Sequence, residues 1–184
     1  MGAGLMSARG GPLVEVGVAE WGLEHQSGDT FAVEPFAGGV LLAVVDGIGH
    51  GPEAAAASAA ARRVLLTLSS AHPTELFSAC HTALRETRGA VMSLASIRQG
   101  TMIWAGVGNV GGVLGQVLPR LYATEISVQA GDTLIFATDG VARQSLRLGD
   151  HLSPQAEADR ILAAACNGND DALVLVARYR GAAQ

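Results

Sequence analysis

The sequence predicts an α+β fold: an αββα sandwich of two mainly antiparallel sheets with helices on the outer faces. Three observations carry this expectation. Short extended runs dominate the chain, two helical patterns sit side by side near the middle with a third near the end, and this order does not alternate as a parallel βαβ sheet requires. Several runs are apolar at successive positions, which suits strands covered on both sides. The 184 residues are 49% hydrophobic and only 4% aromatic, enough for one domain (1–184) whose interior is filled by alanine, valine and leucine.

The elements follow in chain order. Residues 1–11, MGAGLMSARGG, read as a flexible leader. From Pro12 to Val18 apolar and polar side chains alternate, the pattern of a half-buried strand. Ser27-Gly28-Asp29 forms a turn that leads into a second apolar run ending at Val33. Leu41 to Gly51, LLAVVDGIGHG, joins a buried strand to a glycine turn. Pro52 and Glu53 then open an alanine-rich helix to Ser69 whose small face is expected at Ala55 and Ala59. A second helix, Glu75 to Thr87, carries the stripe Leu76, Phe77, Cys80 and Leu84 at helical spacing.

Beyond Arg88 the pattern becomes a series of strands: Ala90–Ile97, Thr101–Gly106, Gly111–Leu114, Leu121–Val128 and Thr133–Ala137. Gln99-Gly100 and Ala130-Gly131-Asp132 supply turns between them. Ser153-Pro154 caps a last helix stopped by Gly168, and Asp171–Tyr179 is the closing strand.

Composition narrows the function classes. A formal net charge of −5 without a Lys/Arg cluster argues against nucleic acid as a partner. Cys80 and Cys166 each lie in an apolar helical pattern, which makes them packing residues and argues against a zinc site or disulfide framework. His72 and His81 read as capping or solvent-facing residues. With no apolar leader and no run of membrane-spanning length, a monomeric cytoplasmic protein away from any membrane is expected.

The chemistry-bearing pattern is a repeated one. Asp46 ends LLAVVDG and Asp139 ends LIFATDG; Asp29 and the pair Asp170-Asp171 also stand where an apolar strand meets a turn. The glycines after Asp46 are spaced GxGxG, which is not a dinucleotide fingerprint, and an acid before the first of them would repel a phosphate unless a cation intervened. Asp-Gly alone is an ordinary turn. Carboxylates gathered at the rigid ends of several strands, however, repel one another unless neutralised, and carboxylate and carbonyl oxygens suit hard divalent cations.

Taken in order, SGD (27–29), VVDGIGHG (44–51), GVGNV (106–110), ATDG (137–140) and DDALVLV (170–176) resemble the metal-dependent protein phosphatase 2C (PPM) superfamily, in its bacterial SpoIIE-like branch. The small size and the RGA run at 88–90 narrow the likeness to the stressosome feedback phosphatases of that branch. The resemblance implies two Mn2+ or Mg2+ ions, with Asp46 bridging them and the Gly47 carbonyl on one. Asp139 and Asp170 would complete the other, with Asp171 as the fallback for Asp170, and Asp29 would hold the second ion directly or through water. Asp46 and Asp139 thereby become the catalytic acids, and Gly108 with Asn109 would shape the turn beneath the site.

Gly28, Ile48 and Leu173 depart from the broader family pattern. His50 is a candidate for an acid or substrate-contacting role. The implied activity is hydrolysis of phosphoserine or phosphothreonine on stressosome or other STAS-domain proteins, by water that the ions activate. Two alternatives stand beside it: an activating phosphatase of an anti-anti-sigma factor, and a catalytically idle phosphoprotein-binding module.

Overall fold

The computed structural model describes residues 13–108, 111–143, 146–149, 151–166 and 168–181. The leader at 1–11 and Asn109 therefore lie outside the described residues. The chain forms β1 (Val14–Trp21), β2 (Asp29–Phe36), β3 (Gly39–Gly47), α1 (Pro52–Thr67) and α2 (Pro73–Ala83). It continues with β4 (Ala90–Arg98), β5 (Thr101–Val107), β6 (Thr124–Ser127), β7 (Thr133–Ala137), α3 (Pro154–Ala165) and β8 (Ala172–Tyr179).

Two antiparallel sheets result, one of three strands in the order β1-β8-β7 and one of five in the order β2-β3-β4-β5-β6. The α+β sandwich expected from the sequence is the observed architecture. The apolar runs are explained by it, because the two central strands are covered on both faces. In β3, Leu41, Ala43 and Val45 pack with α1 and α2, whereas Val40, Leu42 and Val44 meet Leu173, Leu175 and Ala177 of β8 between the sheets. In β8 the alternate residues Ala172, Val174 and Val176 turn outward onto Ala158 and Ile161 of α3. Each large side chain so buried contributes about 1.5–3 kcal/mol.

The α2 stripe is as expected: Leu76, Phe77, Cys80 and Leu84 are fully buried. The face of α1 is not. Ala54, Ala57, Ser58, Ala61 and Leu65 are its buried residues, while Ala55 and Ala59 are only half-buried. An almost uniform alanine run offers no contrast between its faces, so the docking side is set by the sheet.

Two strand expectations are also corrected. Gly111–Leu114 is not a strand; Leu114 and Val113 make only isolated bridges, to Ala90 and Val117. Gly111, Gly112 and Gly115 all have positive φ (97°, 90° and 91°), which turns the backbone instead of extending it. Of Leu121–Val128, only Thr124–Ser127 pairs as a strand.

Candidate metal centre

The acids converge at one end of the gap between the sheets. Asp29 opens β2 and lies directly opposite Asp46 of β3 in the ladder. Side chains opposite one another leave the sheet on the same face, with Cβ atoms roughly 5 Å apart. By alternation along β3, Asp46 points the way Leu42 and Val44 do, between the sheets. Asp139 stands two residues beyond β7 and Asp170 two residues before β8. One pair of acids thus comes from the five-stranded sheet and the other from the three-stranded sheet.

Local backbone contacts fix these positions. β3 ends at Gly47, whose N–H donates to the Gly28 carbonyl at 3.1 Å, while the next N–H, of Ile48, donates to the Gly89 carbonyl at 3.0 Å. A Cβ on Gly47 would fall 2.2 Å from the Ala54 carbonyl oxygen, so only glycine lets α1 start this close to the strand end. Gly140, after Asp139, has the same function on the other sheet: a Cβ there would lie 2.1 Å from the Asp171 carbonyl oxygen.

Thr138 links the sheets, and sequence reasoning missed it. Its buried hydroxyl donates to Asp29 Oδ2 at 2.7 Å and accepts from the Leu173 N–H at 2.9 Å. The available signal was its place in ATDG, just before an acid and at a strand end. Asp171 was also under-read. Its buried carboxylate accepts from the Leu23 N–H at 2.8 Å and the Gly28 N–H at 2.6 Å, stapling the loop that leads to Asp29. Both oxygens are therefore engaged by backbone, whereas Asp170 is partly exposed and uses one oxygen to accept from the Asp171 N–H.

Asp46 is treated differently from all of these. Its carboxylate forms no hydrogen bond or ion pair among the described residues. Burial first, and then the charges of Asp29, Asp139, Asp170 and Asp171, push it up to about 8. Asp29 is raised to about 7 by burial, opposed by the Thr138 hydrogen bond and reinforced by Asp171, Asp139 and Asp170. The charges that raise Asp29 and Asp46 are those of neighbouring acids. Among the described residues, no group of three or more His, Cys, Asp or Glu side chains closes into a metal-holding cage. The acids share one region and act on one another's charge without enclosing it.

An oxygen-only donor set with excess negative charge fits a hard divalent cation, which would relieve both the desolvation and the repulsion. His50 sits at the rim, exposed, with Nδ1 2.6 Å from Glu24 Oε1. The other histidines singled out are structural. His72 caps α2 through the Thr74 N–H, and His81 Nδ1 accepts from the Gly115 N–H at 3.0 Å.

No family model matches the sequence, and no curated protein matches it. Among solved structures, a protein from work on the bacterial stressosome, described as a modular system adapted to control secondary messenger signaling, is 32% identical, with 90% of this chain and 99% of the other covered and a TM-score of 0.84. RsbX, solved in complex with magnesium, shares 20% identity over 97% of this chain and 100% of its own, with a TM-score of 0.79. The PP2C phosphatase domain of SpoIIE from Bacillus subtilis, solved with a fragment of its regulatory domain, shares 18% over 93% of this chain and 64% of its own, with a TM-score of 0.77.

The chain belongs to the family of the stressosome protein, and it shares its fold with RsbX and with the PP2C phosphatase domain of SpoIIE. Likeness to RsbX in particular is moderate, at 20% identity. No helix among the described residues is long and apolar enough to cross a membrane.

Proposed function

We propose that this chain is a divalent-metal-dependent phosphoserine/phosphothreonine protein phosphatase whose substrates are phosphorylated stressosome or other STAS-type regulatory proteins. The observation that carries it is the Asp29–Asp46 pair: two acids opposed across a ladder, raised by burial and like charge, with Asp46 forming no hydrogen bond or ion pair among the described residues. The fold it shares with PP2C-type phosphatases, and the stressosome context of its relative, support the activity and the class of substrate.

Asp46 would bridge two Mn2+ or Mg2+ ions, the Gly47 carbonyl would hold one, Asp139 and Asp170 would complete the other, and Asp29 would assist directly or through water. When bound, such ions lower the pKa of water and neutralise charge on phosphoryl oxygens. The protein's own contribution is placement. Thr138 orients the Asp29 carboxylate by its 2.7 Å hydrogen bond, Asp171 fixes the approach to Asp29 through Leu23 and Gly28, and Gly47 brings the first turn of α1 against the strand end.

The test is manganese-dependent release of phosphate from a phosphorylated STAS-domain protein and from p-nitrophenyl phosphate. Asp46→Asn and Asp139→Asn are expected to lower turnover at least about a hundredfold, the scale on which groups that organise transition-state charge act. Circular dichroism should remain that of the wild type. Undiminished turnover in both variants would defeat the assignment.

A further inference from the structure

The ladder between β3 and β4 carries a basic side chain to the acidic end of the sandwich. Asp46 pairs with Val91 and Gly47 with Ala90. The Ile48 N–H then bonds the Gly89 carbonyl, so the antiparallel register continued outward sets Arg88 across from Gly49. The side chain follows the backbone: Arg88 Nη1 lies 3.0 Å from the position a Cβ on Gly49 would occupy. The Gly49 carbonyl oxygen, in turn, lies 3.2 Å from a Cβ position on Gly28, the residue before Asp29.

The corner that holds Arg88 is well fixed. Gln116 Nε2 donates to the Arg88 carbonyl at 2.5 Å, and the Thr87 hydroxyl accepts from the Gly89 N–H at 3.0 Å while donating to the Leu84 carbonyl at 2.8 Å. The guanidinium itself is half exposed and forms an ion pair through Nη2 with Glu53, in the first turn of α1. Its charge is engaged at the rim, by an acid that is 67% exposed.

We infer that Arg88 binds the phosphoryl group of the substrate at the mouth of the acidic site, and that Glu53 occupies its guanidinium when no phosphate is present. The proposal rests on the phosphatase reading for its substrate class. A phosphate monoester approaching a cluster of carboxylates meets repulsion, and a planar guanidinium can take two of its oxygens at once. Exchanging partners is cheap, because an exposed ion pair adds little stability. Glu53 is thus a competitor of the phosphoryl group for one cation, and removing either member of the pair shifts affinity in opposite directions.

Two measurements test this: steady-state kinetics on p-nitrophenyl phosphate with Mn2+, and calorimetric titration of inorganic phosphate into the Mg2+-supplemented protein. Arg88→Ala should raise KM and the phosphate Kd about tenfold, as loss of a charge-assisted contact does, with Arg88→Lys between it and the wild type. Glu53→Gln should lower both, by about two- to threefold. A purely structural ion pair would move the two variants in the same direction, and that result, or unchanged constants in Arg88→Ala, overturns the inference. If the wild type does not hydrolyse the ester at all, the phosphatase reading fails, while the phosphate titration still decides whether Arg88 and Glu53 compete for the anion.

Discussion

Glu157 on α3 and the Asp29–Asp46 pair at the ends of β2 and β3 are carboxylates largely withdrawn from water, and the protein handles them in opposite ways. Glu157 is only 1% exposed, yet Arg160 pairs with it at 2.5 Å and the Gly149 N–H donates to it at 2.9 Å. The Arg160 hydrogen bond, outweighing burial, holds its carboxyl below the usual range. Asp29 has only the Thr138 hydroxyl set against its burial, Asp46 has no hydrogen bond among the described residues, and the two are raised to about 7 and about 8. The chain is able to satisfy a buried acid from its own residues, and on α3 it does so within one helical turn. At the strand ends it instead sets acid against acid.

The contrast is broken most directly by cation binding. Mn2+ or Mg2+ at a hundred times its Kd should stabilise the wild type by about 2.7 kcal/mol. The gain, read from thermal melts, should disappear in Asp46→Asn and persist in Glu157→Gln. A gain that survives Asp46→Asn would place the ion elsewhere.

A smaller effect is expected when the self-satisfied acid is altered. Glu157→Gln leaves Arg160 and the Gly149 N–H with a weaker partner and should cost about 1–2 kcal/mol in urea unfolding, with or without metal. No loss would mean that α3 does not depend on this acid.

The effect that sharpens the comparison most is on pH. For Asp29 and Asp46 the folded pKa is raised, so the folded chain keeps protons that the unfolded chain releases. Their stabilising contribution is complete below the ordinary value of 3.8 and is lost as pH rises through about 7 and about 8. Glu157, whose folded pKa is lowered, contributes above its ordinary value of 4.5 and loses that contribution as pH falls. Chelator-treated protein should therefore melt at a lower temperature at pH 8.5 than at pH 6, with a shallower slope in Asp46→Asn. An equal slope would mean that Asp46 titrates normally.

Much of this arrangement was legible in the sequence because the physics is local. A strand buried on both faces must be apolar throughout, so LLAVV and LVLV announced β3 and β8, and the Asp-Gly that ends each acidic strand marked where they meet the surface. What failed to show was tertiary. Nothing in an alanine-rich helix says which alanines face the sheet, and Val113-Leu114 reads as a strand from its side chains alone, whereas Gly111, Gly112 and Gly115 turn the backbone there. Asp170 and Asp171 are indistinguishable as letters. They separate only when Leu23 and Gly28, about 150 residues earlier, present their N–H groups to one of them. Thr138 likewise acquires its importance from Asp29, 109 positions away.

The hydroxyl of Thr138 touches both layers of the sandwich, and the four outlying acids are drawn two from each layer. An ion lodged among them would act as a rivet through the pair of sheets, and slow amide exchange near Asp29, Gly47, Thr138 and Leu173 would then set in as one cooperative unit.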